Sequence, residues 1–119
     1  MRIENEENNY LCGMKIEQTI DHIRDSVLKF VPARCIYLFG SHAYGTPTEE
    51  SDIDIYVVTP DETKDFSLLF AKIIGDLGRK EIFFIDLLLS AESVFNNRKE
   101  KFILEKTIYQ KGRRIYEHL

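Results

Sequence analysis

Residues 40–54 read GSHAYGTPTEESDID. They start on a Gly-Ser pair directly after the apolar run 35–39, CIYLF, and end on two carboxylates two positions apart, Asp52 and Asp54. Gly, Ser, Thr and Pro crowd residues 40–51, which predicts turns between two strands. A single helical turn is expected over 41–44. Gly40 lets the backbone come close to a ligand, and the amides of Ser41 and His42 would then point outward as anion donors. The Ser41 hydroxyl offers one more bond to a phosphate oxygen.

The two aspartates add a second element. Residues two apart on a strand point to the same side, so Asp52 and Asp54 present their carboxylates together. Neighbouring negative charges raise each other's pKa unless a cation sits between them. Mg²⁺ suits such a place, because it takes hard oxygen ligands and is held by one or two carboxylates plus substrate phosphates. Asp86 is the only charge in the apolar run 82–89, IFFIDLLL. A buried carboxylate needs a partner or a metal. With its strand laid beside that of Asp54, three carboxylates meet at one edge, as a two-metal phosphoryl-transfer site requires.

Working outward, Ile16, Ile20, Ile23 and Val27 repeat at helical spacing, and Pro32 closes that helix. Residues 34–39 read as a buried strand. Residues 52–59 alternate, which predicts a strand with Ile53, Ile55 and Val57 on an apolar face and Asp52, Asp54 and Tyr56 on a polar one. Phe66, Leu69, Phe70, Ile73, Ile74 and Leu77 mark an amphipathic helix, with Asp65 as its N-cap and Gly78 as its stop. A strand over 81–89 follows. Beyond residue 91 the pattern is helical, with Phe95, Phe102, Ile103 and Ile108 expected on the core, and residues 113–116 as a last extended piece. Residues 1–13 are acidic and polar without a period, so a loose tail is expected there and a single domain over 14–119. The class is α/β (α+β): a small mixed β-sheet with helices packed on it.

Composition narrows the partners. With 119 residues and 44% apolar side chains the chain can bury a core. A net charge of -4 argues against non-specific nucleic-acid binding, which depends on Lys and Arg. Two cysteines, Cys12 and Cys35, are too few for a disulfide scaffold, and the polar N-terminus lacks the pattern of a signal peptide. No apolar run reaches the length of a membrane span. A cytoplasmic setting is expected. Cys35 reads as a core residue and His42 as a loop histidine rather than a general base. Tyr44 and Tyr56 are open to lining a site or stacking on a base. Lys111, Arg113 and Arg114 read as a solvated helix end, with phosphate or an acidic partner as the other reading.

GSHAYGTPTEESDID resembles the G-S-x-A-x-G…S-D-x-D signature of the minimal nucleotidyltransferases, members of the DNA polymerase β-like superfamily. Tyr44 stands where many members carry Arg. The resemblance implies that Gly40 and Ser41 bind the nucleotide, that Asp52 and Asp54 bind metal, and that Asp86 is the third carboxylate, which helps activate the acceptor hydroxyl. It implies a two-ion Mg²⁺ site and ATP as substrate. After the core elements few residues remain for binding an acceptor, so a partner is expected to carry it. Similar proteins act with small helical HEPN-type toxins, transferring AMP from ATP to a toxin tyrosine as the antitoxin. The alternatives are transfer to a small molecule such as an aminoglycoside, and a non-catalytic nucleotide-binding subunit.

Overall fold

The computed structural model describes residues 2–48 and 51–119. Its elements are α1 (Arg2–Phe30), β1 (Cys35–Phe39), α2 (Ser41–Tyr44), β2 (Ile53–Thr59), α3 (Phe66–Arg79), β3 (Ile85–Ala91), α4 (Glu92–Arg98), α5 (Ile103–Lys111) and β4 (Arg113–Glu117). The backbone of residues 2–13 continues α1, where the sequence suggests a loose tail. None of the helices among the described residues is long and apolar enough to cross a membrane.

The four strands form one mixed sheet in the order β3-β2-β1-β4. β1 pairs antiparallel with β2 and β4, whereas β2 and β3 run parallel. Parallel neighbours need a crossover, and α3 provides it. Ile20, Ile23 and Val27 of α1 and Ile73 and Leu77 of α3 are buried against Ile36, Leu38, Ile53, Ile55, Val57 and Leu87 of the sheet. The periodicities read from the sequence therefore both point into this main core.

The opposite face differs from the reading of β2 as half polar. Tyr56 and Val58 are buried there with Tyr37, Phe95 and Ile108. The reason is coverage: α4 and α5 close over this part of the sheet, and the Phe95 ring lies 5.7 Å from that of Tyr37 and 5.3 Å from that of Tyr56. Phe102 and Ile103, expected on the core, are exposed instead. They sit at the corner between the two short helices, outside the packed stripe of Phe95 and Ile108.

Two boundaries also move. β3 begins at Ile85, because Glu81 takes a left-handed φ of 62° and breaks the run, leaving Phe83 and Phe84 exposed. α3 continues past Gly78 to Arg79. Asp65 holds the N-cap position, but at φ 58° its side chain makes no capping bond.

One polar cluster ties the two helices of the main layer together. Ser26 Oγ donates to Asp76 Oδ2 at 2.7 Å, and Lys29 Nζ and Arg79 donate to Oδ1 at 3.1 and 3.3 Å. Lys80 Nζ donates to Ser26 Oγ at 2.7 Å and lies 3.4 Å from Asp76 Oδ2. Ser26 and Asp76 are both buried. The bond from Ser26, then those from Lys29 and Lys80, hold the Asp76 carboxyl far below the usual carboxylate range despite burial. A lowered pKa means that the folded state favours the ionised form. This contribution is complete above the unfolded pKa of about 4 and fades as pH falls below it. Asp76→Asn should therefore lower the melting temperature clearly at pH 7, and the gap from the parent protein should shrink at pH 3. Thermal melts at the two pH values measure both.

Candidate active site

The loop from β1 to β2 is closed on itself by short bonds. Ala43 and Tyr44 amides donate to the Gly40 carbonyl at 3.0 and 3.1 Å, and the Gly45 amide donates to Ser41 O at 3.1 Å. This is the helical turn expected over 41–44. The first amides of a helical turn have no carbonyl ahead of them inside it, so those of Ser41 and His42 are its natural anion donors. His42 Nε2 lies 3.2 Å from the Ser51 carbonyl, and the Thr48 amide donates to Ser51 Oγ at 2.9 Å. His42 thus fastens the loop to the approach of β2.

Gly40 sits at φ 72° and ψ −155°, a conformation that L side chains rarely adopt. Space demands glycine as well, since a Cβ built there would collide with the Asp54 carboxylate. The cause is sheet register: Phe39 is the antiparallel partner of Asp54, so the first residue beyond β1 lies against that side chain. Cradle and carboxylate are thus adjoining parts of one site. Gly40→Val should lower stability by about 1–3 kcal/mol through its strained backbone alone, which urea denaturation would read.

Asp54 and Asp86 are direct partners in the parallel pairing of β2 and β3. Both project from the face opposite the main core, since Ile53, Ile55 and Leu87 between and beside them are buried in it. Asp52 lies exposed just before β2. Partial burial first, then the charges of Asp86 and Asp52, push the Asp54 carboxyl up, and His42 opposes this in part. The structure thus gathers all five residues read from the sequence, Gly40, Ser41, Asp52, Asp54 and Asp86, at one end of the sheet.

The Asp86 side chain is exposed, where its apolar setting in the sequence suggests burial. β3 is an edge strand and α4 and α5 cover only its far end, so water reaches this carboxylate. What singles out Asp86 is its register opposite Asp54. The carboxylate oxygens suit a hard divalent cation such as Mg²⁺, and the raised pKa of Asp54 marks a place where positive charge is wanted. Among the described residues, no three acidic, His or Cys side chains already converge into a closed ligand set.

The two arginines of the basic cluster near the C-terminus are committed elsewhere. Arg113 grips Glu17 with two bonds of 2.7 and 2.8 Å, and Arg114 donates to Glu117 at 3.0 Å. A cavity of about 770 Å³ opens beside the loop, between Ile16 and Thr19 of α1, His42, Ile53 and Phe83. It lies on the α1 side of the loop, away from the Asp54–Asp86 face. A group that sequence reading misses sits below the carboxylates. Tyr56 Oη donates to the buried Glu105 at 3.1 Å, and Arg98 pairs with the same Glu105 oxygen at 3.0 Å. The only signal for it in the sequence is an acid three residues from Ile108 on the buried side of α5.

The nucleotidyltransferase domain pattern matches residues 20–110. The chain belongs to the nucleotidyltransferase domain family. It is a transferase by that membership, and the match spans the loop and all three carboxylates. Among solved structures it is similar to a toxin–antitoxin protein crystallised with AMP-PNP, at 24% identity and a TM-score of 0.57, over 83% of this chain and 73% of that one. It is also similar to the toxin–antitoxin MntA–HpeT in a form with two aspartate-to-glutamate substitutions, at 22% identity and a TM-score of 0.55, with the same coverage. These likenesses establish the nucleotidyltransferase-like fold. No curated protein is a significant match.

Asp54→Asn removes a like charge from this nucleotidyltransferase. A raised folded pKa means that ionised Asp54 costs stability above an unfolded pKa of about 4. In EDTA the variant should melt higher than the parent at pH 7, and the difference should vanish at pH 3.

Proposed function

We propose that this chain transfers a nucleoside monophosphate, AMP from ATP, to a hydroxyl on a protein partner: a tyrosine of a small helical HEPN-type toxin, which it silences as the antitoxin. Residues 14–119 carry this activity as one unit. The observation that carries the reading is the register of Asp54 beside Asp86, directly under the Gly40 turn. Two of the similar folds come from toxin–antitoxin pairs, one of them crystallised with AMP-PNP, which supports both the class of nucleotide and the kind of partner.

The chemistry follows from placement. The acceptor oxygen forms a bond to the α-phosphorus, the bond from that phosphorus to the bridging oxygen of the β-phosphate breaks, and pyrophosphate leaves. Gly40 permits close approach of the phosphates, and the Ser41 amide and hydroxyl hold their oxygens. Asp52, Asp54 and Asp86 would hold Mg²⁺, which when bound neutralises phosphate charge and lowers the pKa of an attacking hydroxyl. Asp86, at the edge of the sheet and open to solvent, is the carboxylate that a hydroxyl from outside meets first. It orients that hydroxyl and accepts its proton. The sheet face above Asp54 and Asp86 is left open by α4 and α5, so a partner has access.

The test is to incubate the protein with a small helical HEPN-type toxin, ATP and Mg²⁺, and to weigh both chains. The expected result is a mass gain of one or more AMP units on the partner and none with EDTA. Asp54→Asn should cut the rate by more than about 100-fold, since even outer partners of a metal site cost 10–100-fold. An unmodified partner, or a variant as fast as the parent, would refute the reading.

A further inference from the structure

The open half of the sheet face is rich in negative charge and poor in positive charge. It carries Asp52, Asp54 and Asp86, and residues 40–54 contain neither Lys nor Arg. A triphosphate laid across it adds more negative charge. We propose that Arg98 supplies the cation: it binds the terminal phosphates of the nucleoside triphosphate, and the buried Glu105 is the positioning residue that aims it. The inference rests on the nucleotidyl-transfer reading above and adds the residue that distinguishes a triphosphate from a monophosphate.

The geometry starts at Tyr56. It stands two residues from Asp54 on the same face of β2, roughly 7 Å along the strand. Its hydroxyl donates to Glu105 Oε2 at 3.1 Å, and Arg98 Nε pairs with that same oxygen at 3.0 Å. Arg98 is the last residue of α4, which leaves the far end of β3 and packs Phe95 onto Tyr37 and Tyr56. It therefore stands where the covered half of the face gives way to the open half. The guanidinium lies 4.0 Å above the Phe102 ring, which fixes its plane.

A purely structural partner for Glu105 would be arranged differently. The Glu105 side chain is 6% exposed, and closing such a pair calls for a two-pronged contact. Here the closest contact comes from Nε at 3.0 Å, and Glu105 Oε1 is buried without a hydrogen-bond partner. Among the described residues, the two terminal nitrogens of Arg98 donate no hydrogen bond, and the side chain is 39% exposed. That leaves the planar fork free to take two oxygens of a phosphate. Arg114 pairs with Glu117 and lies over Tyr37 at the β4 side, and Lys99 lies over Tyr109 at the covered end of the face.

The experiment measures ATP and AMP affinity in Mg²⁺ by calorimetry for the parent protein, Arg98→Gln, Arg98→Lys, Glu105→Gln and the double variant Arg98→Gln/Glu105→Gln. Melting temperatures report whether each is folded. Losing a charge-assisted phosphate contact should weaken ATP binding by about 10-fold to 100-fold in Arg98→Gln. AMP affinity should change by less than about 2-fold, because AMP lacks the phosphates concerned. Arg98→Lys should fall between the two and covers the case in which the Gln variant melts low. Glu105→Gln should weaken ATP in the parent background and have no further effect once Arg98 is gone. Equal losses for ATP and AMP, or no loss for ATP in a folded Arg98 variant, would overturn the assignment while leaving nucleotidyl transfer intact. A parent protein that binds no ATP would remove the nucleotide reading itself, and Arg98 with it.

Discussion

The parallel pairing of β2 with β3 is the constraint on which the site depends. Asp54 and Asp86 are 32 positions apart in the chain and become neighbours only because the two strands run the same way in one register. Parallel strands cannot be joined by a tight turn, so the chain must leave the sheet and come back. α3 makes that return, and its position is set by Ile73 and Leu77 in the core and by the Asp76 cluster that binds it to α1. A slip of one residue in β3 would turn Asp86 toward the helices and bring Leu87 out to the open face. Apolar burial of Leu87, and of Ile85 and Leu89 beside it, opposes such a slip.

The sheet uses its two faces differently. One is sealed by α1 and α3 and stores most of the stabilising burial. The other is sealed only at the end where Phe95 and Ile108 pack, and is open at the end that carries the carboxylates. Partial burial first, and then the like charges of Asp86 and Asp52, disfavour ionised Asp54, and its raised pKa is the sign of that cost. The main core lies directly behind these residues and offsets the cost.

Gly40 joins the cradle to the carboxylates. Its left-handed backbone turns the chain out of β1, and its missing side chain leaves room for the Asp54 carboxylate. The loop then returns through His42 and Ser51 to the start of β2. The loop amides and the carboxylates are therefore held by adjoining strand ends of one sheet, which is where precise positioning is least costly.

Residues 40–54 alone determined the chemistry, because a Gly-Ser turn and an Asp-x-Asp strand start are local features whose geometry follows from a few dihedral angles and the two-residue period of a strand. The helices and the apolar face of β2 were equally legible, since burial leaves its period in the sequence. Long-range placement was not. Asp86 read as buried, but an edge strand with partial cover leaves it in water. Tyr56 read as polar-facing, yet α4 covers it. Phe102 and Ile103 read as core, yet they form an exposed corner. The Arg98–Glu105–Tyr56 group leaves no spacing to find, because its members come from three elements. Only the tertiary structure decided these, since which apolar surface is covered, and which charges meet, depends on what the chain brings back over the sheet from far away in sequence.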